Sequence, residues 1–203
     1  MILAALLMVV QVAAQDPRLE RLDPGTRSAV SAVVDSARGD GLPVEPLIQR
    51  ALEGATKGAP GARIVAAVRR LTVDLGAARL ALGTNASAAE LEAGVAALRA
   101  GATPEILAHL RDLRRPPLTM ALSVLADLVA SGVPADSAAA AVLALAPHAR
   151  DADLVEFRRA VERDIALGAP PGAATSIRVN AGAENVFSGT GTNPGTVPRP
   201  RRP

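Results

Sequence analysis

The sequence predicts an all-α protein, an antiparallel array of helical hairpins with about eight helices. Three observations predict it. Apolar residues recur at spacings of three and four along most of the chain, the period of one helix face. Glycine-led turns punctuate it at Gly41, Gly58, Gly83, Gly101, Gly132 and Gly168. Apart from Ser176–Val179, no stretch alternates polar and apolar residues over strand length. The turns are 17, 25, 18, 31 and 36 residues apart and follow no single period. The pattern therefore fits a compact bundle and a short irregular α-solenoid equally.

Met1–Ala14 reads as a signal peptide. The apolar run Ile2–Val10 has h-region length, well short of the roughly 20 residues that span a bilayer. Val12 and Ala14 suit the small-residue positions before a cleavage site, so cutting is expected after Ala14 or Gln15. The n-region carries no Lys or Arg. A linker over residues 15–22 then leads into a helical domain over residues 23–176.

Asp23-Pro24 opens the first helix, with Asp as N-cap and Pro at the first helical position. Val30, Val33 and Val34 form its apolar side, and Arg38-Gly39-Asp40-Gly41 ends it with Gly39 as the left-handed stop. That Arg-Gly-Asp resembles an integrin-binding tripeptide and reads here as a helix end. After Gly41-Leu42-Pro43 comes the clearest amphipathic unit: Val44, Leu47, Ile48, Ala51, Leu52 and Ala55 share one stripe. Glu53 and Lys57 sit at i, i+4 on its other face, a support of about 0.2–0.5 kcal/mol. From Pro60, residues Ile64, Val68, Leu71, Leu75, Ala78 and Leu82 make a heptad-like seam, spaced 4, 3, 4, 3, 4.

Ser87-Ala88-Ala89-Glu90 is a capping box ahead of Leu91, Val95 and Leu98. Thr103-Pro104-Glu105 starts a helix with Ile106, Leu107, Leu110 and Leu113, which Arg114-Arg115-Pro116-Pro117 breaks. Leu118–Ala130 is the most apolar segment and is expected to be the most buried helix. Gly132-Val133-Pro134 repeats the earlier turn, and an alanine-rich helix follows over Ala138–Ala146. Asp151 is expected to cap the last long helix, with Leu154, Phe157, Val161 and Ile165 inward, before Gly168-Ala169-Pro170-Pro171. From residue 177 to 203 the composition of Gly, Thr, Asn, Pro and Arg predicts a disordered tail.

Composition narrows the chemistry. The 203 residues suit a real core, but only Phe157 and Phe187 are aromatic, so the core must be aliphatic. The absence of cysteine excludes disulfides, thiolate metal sites, cysteine nucleophiles and a lipoprotein anchor. There are 22 basic and 20 acidic residues; without the tail from Ile177 the body holds 18 and 19. That body has no basic stripe and no stacking aromatics, which argues against nucleic acid.

His109 and Asp112, at i, i+3, could form an oriented imidazole, although no nucleophile accompanies them. His148, Asp151 and Asp153 form a His-x-x-Asp-x-Asp cluster at a helix start, too poor in oxygen ligands for a hard cation. Lys57, the sole lysine, follows a helix instead of preceding one and so is not a phosphate-loop lysine. No catalytic, cofactor or metal residue is therefore assigned.

Gly41-Leu42-Pro43-Val44-Glu45-Pro46-Leu47, Glu53-Gly54, Lys57-Gly58 and Gly132-Val133-Pro134 together resemble a family of uncharacterised exported all-helical proteins of high-GC bacteria. The resemblance implies helicity and export and carries no site. The leading expectation is a periplasmic or secreted helical-repeat-like binding or scaffold protein, holding a protein or envelope component or a second copy of itself. The alternative is an envelope enzyme centred on His109/Asp112 or His148/Asp151. A third reading is association with a membrane surface through Leu118–Ala146 and the basic tail, with no transmembrane helix in the mature chain.

Overall fold

Among the described residues, eight helices form where spacing and turn signals place them, and a ninth follows. The structure, a computed structural model, describes residues 16–187. The expected signal peptide, residues 1–14, and its cleavage position lie outside the described residues, as does the tail from residue 188. After a 3-10 turn, Pro17–Arg21, come α1 (Pro24–Gly39), α2 (Glu45–Thr56), α3 (Gly61–Leu82), α4 (Ala88–Ala100) and α5 (Pro104–Leu113). Then follow α6 (Thr119–Ala130), α7 (Ala135–Leu145), α8 (Asp151–Ala166) and α9 (Pro171–Phe187). The described residues contain no strand, so the short alternation at Ser176–Val179 is helical.

The helix starts follow from side-chain chemistry. Asp23 accepts from the Thr26 N–H at 3.0 Å, with Pro24 inside the first turn. At α4 the reciprocal box forms: Glu90 N–H donates to Ser87 Oγ at 3.2 Å, and Ser87 N–H and O–H both donate to Glu90 Oε2 at 2.8 Å. Oε2 of the buried Glu90 carboxylate is thereby satisfied, and such a cap contributes about 1 kcal/mol. The start of α8 differs from expectation. Arg150 is the N-cap, Asp151 is already helical, and Asp153 reaches back to accept from the Arg150 N–H at 2.9 Å. Acidic side chains in a first turn also suit the helix dipole.

Four helix stops share one device. At Gly41 (φ +70°) the glycine N–H donates to Arg38 O at 3.0 Å, and the Leu42 N–H donates to Ala37 O at 2.8 Å. This pair of bonds satisfies carbonyls that a helix end leaves orphaned, and it needs a left-handed residue. The same pair recurs at Gly58, Gly132 and Gly168. In all four an apolar residue and then proline follow: Leu42-Pro43, Ala59-Pro60, Val133-Pro134 and Ala169-Pro170. Gly39, expected as the left-handed stop, lies instead in the last turn of α1.

The single domain expected over residues 23–176 divides into two compact units at Leu98–Arg99. In the first, α3 packs on α1 and α2, and the 3-10 turn packs on both. The whole seam Ile64, Val68, Leu71, Leu75, Ala78 and Leu82 is buried, as are Val30, Val34, Leu47, Ile48 and Ala51. Two glycines allow the close approach. A Cβ on Gly54 would lie 2.8 Å from Ile64 Cγ1, and one on Gly61 would lie 1.9 Å from Thr26 Oγ1.

Ser31, on α1, is buried with its hydroxyl unpartnered. A buried hydroxyl without a bond is destabilising, so Ser31→Ala is expected to leave stability unchanged or raise it by up to about 1 kcal/mol. A urea titration followed by far-UV circular dichroism measures this, and a loss above that margin would contradict it.

Residues 15–22, expected as a linker, instead fold onto the first unit with Leu19 and Leu22 buried. Arg18 joins them to α2: its guanidinium donates to Asp16 and, at 2.7 and 2.8 Å, to both oxygens of Glu45. The Arg18 hydrogen bonds, helped by Gln49, pull the Glu45 carboxyl down from 4.5 to about 2. A depressed carboxylate adds stability above its ordinary pKa, and that stability is lost as pH falls through about 2. The pair is exposed, so the gain is small. Carboxyl NMR should place Glu45 well below 4.5, and Arg18→Gln should return it upward. An unmoved titration would refute the pairing.

In the second unit, contacts close a ring: α6 on α7, α7 on α9, α9 on α8 and α8 on α6, with α5 against α7. Leu122, Leu125, Leu128, Val142, Leu154, Phe157 and Val161 are buried here, each large one contributing roughly 1.5–3 kcal/mol. The alanines of α7 give little bulk, and Ala138, Ala139 and Ala141 are buried. Arg158 spans α8 and α6, reaching Asp127 at 3.2 Å. The prediction that the chain loses order at residue 177 is corrected, because α9 continues to Phe187. Its glycines and asparagines are weak helix formers, but Ala174 and Thr175 are buried. Arg178 also grips Asp164 of α8 through two bonds of 2.7 and 2.8 Å. No helix among the described residues is long and apolar enough to cross a membrane.

Candidate functional site

The histidine centres read from the sequence do not assemble. His109 is exposed on α5. Its intended partner Asp112 is also exposed, and Asp112 Oδ1 accepts instead from Arg111 Nε and Nη2 at 3.0 and 2.8 Å. His148 is exposed in the turn before α8. Asp151 accepts from Arg114, and Asp153 accepts from Arg150. Arginine thus claims each carboxylate that an imidazole or cation would need. Among the described residues no group of three or more His, Asp or Glu side chains is arranged to hold a metal ion. Lys57, at the C-cap of α2, pairs with Glu53 at 2.6 Å as the i, i+4 spacing predicts.

Two arrangements that the sequence reading missed are structurally specific. The first is Arg114, the residue after α5. Its Nη1 donates to the Ala146 carbonyl at 2.8 Å and to the Ala149 carbonyl, and its Nη2 donates to Asp151. One guanidinium therefore holds the end of α7 to the start of α8. It is mostly buried, with its side chain 14% exposed.

The second is a groove in the first unit. The turn after α1 and the C-terminal half of α3 border an open groove of about 500 Å³, lined chiefly by Leu42, Thr72, Val73, Gly76, Leu80 and Thr84, with Asp40 at its edge on the turn. Arg79 builds its wall by donating from Nη1 to the Gly41 carbonyl at 2.5 Å. Val73 is 68% and Leu80 87% exposed. Gly76 deepens the floor, since a Cβ there would meet nothing within 4 Å. A sequence signal for this face exists. Ala62, Ala66, Arg69, Val73, Gly76 and Leu80 repeat the 4, 3, 4, 3, 4 spacing, two residues out of step with the buried seam. Two residues are about 200° of helix, so α3 carries a second seam on its outward side.

A smaller hollow of about 300 Å³ lies between α7 and α9 beside Ser137, Thr175, Ser176 and Asn180. The Thr175 and Ser176 hydroxyls are committed to carbonyls of their own helix, both at 2.8 Å. Comparison of the chain with protein-family models, with curated proteins and with solved structures finds no match.

Proposed function

We propose that this chain is an exported binding or scaffold protein of the cell envelope, one that holds another macromolecule. The observation that carries the reading is the open groove on α3. An amphipathic helix ordinarily turns polar residues to the side opposite its buried seam. Here the second side leaves Leu80 87% and Val73 68% exposed beside a concavity. An apolar concavity is where a ligand or partner is most readily seated. The signal-like apolar run Ile2–Val10 and the resemblance to exported helical proteins support a periplasmic or secreted location. Successive helical hairpins offer the stacked faces that repeat proteins use for binding.

Two measurements test this. Mass spectrometry of the chain recovered from the envelope fraction of its native host should find a mature terminus at Gln15 or Asp16. Cross-linking in that fraction followed by size-exclusion should yield a defined complex. A chain found only inside the cell, or recovered as an inert monomer, overturns the proposal.

A further inference from the structure

We infer that the α3 groove receives an amphipathic helix with an acidic flank, supplied by a partner protein. The inference rests on reading the chain as a binding protein and names the chemistry of its site. The groove offers Val73, Gly76 and Leu80 along two turns of α3, the footprint of a helix that presents apolar residues at i, i+3 or i+4 and i+7. Gly76 leaves room for one large side chain to enter between Val73 and Leu80. The Leu42–Pro43 turn stands beside it as a fixed wall, since Arg79 holds the Gly41 carbonyl.

Charge selects the occupant. Beyond Val73 the same outward arc carries Arg63, Arg69 and Arg70 against Asp74, which Arg70 meets at 3.4 Å. Arg63 and Arg69 pair with no carboxylate among the described residues. A helix lying along α3 therefore meets an apolar stretch and then, one turn on, unpaired guanidinium groups. Glutamate or aspartate at that point completes it. A second copy fits less well. An antiparallel α3 in the matching register sets Leu80 on Ala62 and Gly76 on Ala66, but it lays each Arg69 guanidinium on Val73 of the other copy with no carboxylate to meet it. A lipid surface is flat and does not fill a walled groove.

The test uses the isotope-labelled full chain and two synthetic helical peptides. Both carry leucines at i, i+3 and i+7; one bears two glutamates a turn beyond, and the other bears lysines there. The acidic peptide should shift the amide signals of Leu42, Val73, Gly76, Leu80 and Thr84 and the Arg69 side chain. The lysine peptide should bind at least tenfold more weakly. Leu80→Asp should weaken the acidic peptide at least tenfold with an unchanged circular dichroism spectrum, because the side chain is 87% exposed and supports no core.

Equal binding of the two peptides, or shifts elsewhere, overturns the inference. So does a dimer in sedimentation that Leu80→Asp dissolves, flotation with anionic vesicles lost in the same variant, or peptide binding that appears only after residues 1–15 are removed. If the acidic peptide fails while the native complex survives Leu80→Asp, the groove assignment falls and the binding-protein reading stands. If no native complex exists either, both fall.

Discussion

Replacing Arg114 with methionine should destabilise the chain by about 2–4 kcal/mol. The guanidinium serves two main-chain carbonyls and a carboxylate, and hydrogen bonds from a charged donor contribute roughly 1.5–3 kcal/mol each before compensation. Methionine keeps the length and the apolar contact of the stem but supplies no donor, so the Ala146 and Ala149 carbonyls lose this partner. Part of the loss is recovered, because the buried Nε already lacks a partner and its removal relieves that cost. Arg114→Lys should recover less than half, since a single ammonium cannot present a planar fork to three acceptors. The chain has no Trp or Tyr, so far-UV circular dichroism in urea is the suitable probe. A loss below about 1 kcal/mol for the methionine variant would show that the clamp is dispensable.

Gly61→Ala should cost about 1–3 kcal/mol, although alanine is the better helix former by about 1 kcal/mol. Propensity loses here to contact. The added methyl carbon would lie 1.9 Å from Thr26 Oγ1 and 3.3 Å from both Thr26 Cβ and Asp23 Oδ2. Thr26 is buried and branched at Cβ, so rotation replaces one clash by another. The start of α3 must therefore move away from the start of α1. A double-mutant cycle isolates the cause: Thr26→Ala combined with Gly61→Ala should restore at least half of the loss. Additive effects of the two substitutions would place the cost elsewhere.

Much of the fold was legible because its punctuation is local. All six glycines read as turns have positive φ, and no other described residue does. The reason is chemical: at four of them a left-handed residue, an apolar plug and a proline stand consecutively, closing one helix and opening another. Asp23, the Ser87–Glu90 box and the seam from Ile64 to Leu82 are legible for the same reason, since each acts within a few turns. Long-range features stayed hidden. The helix runs on past Ile177 as part of α9, which packs on α7 and α8 and is tied to Asp164 through Arg178, and the local composition does not reveal this. Arg114 looked like part of a helix break, and its acceptors lie 32 to 37 residues away.

The candidate centres failed for a related reason. An i, i+3 spacing put His109 and Asp112 within a turn of each other, but it could not say that Arg111 would win the carboxylate. The groove was hidden by success elsewhere. Once Ile64 to Leu82 explained α3 as a one-sided helix, Val73 and Leu80 had no face assigned to them.

The division at Leu98–Arg99 carries a consequence in time. The main packing partners of α1, α2 and α3 are one another and the 3-10 turn, all within the first unit, so these contacts can form before the second half of the chain exists. At roughly 5–20 residues per second, the remaining chain takes about 5–20 s to be made. Helical units with such local contacts fold in microseconds to milliseconds. The nascent first half therefore closes long before its sequel emerges. If the chain is exported as proposed, a pore that admits only unfolded chain must capture the first half before it closes or contend with a half that has already folded.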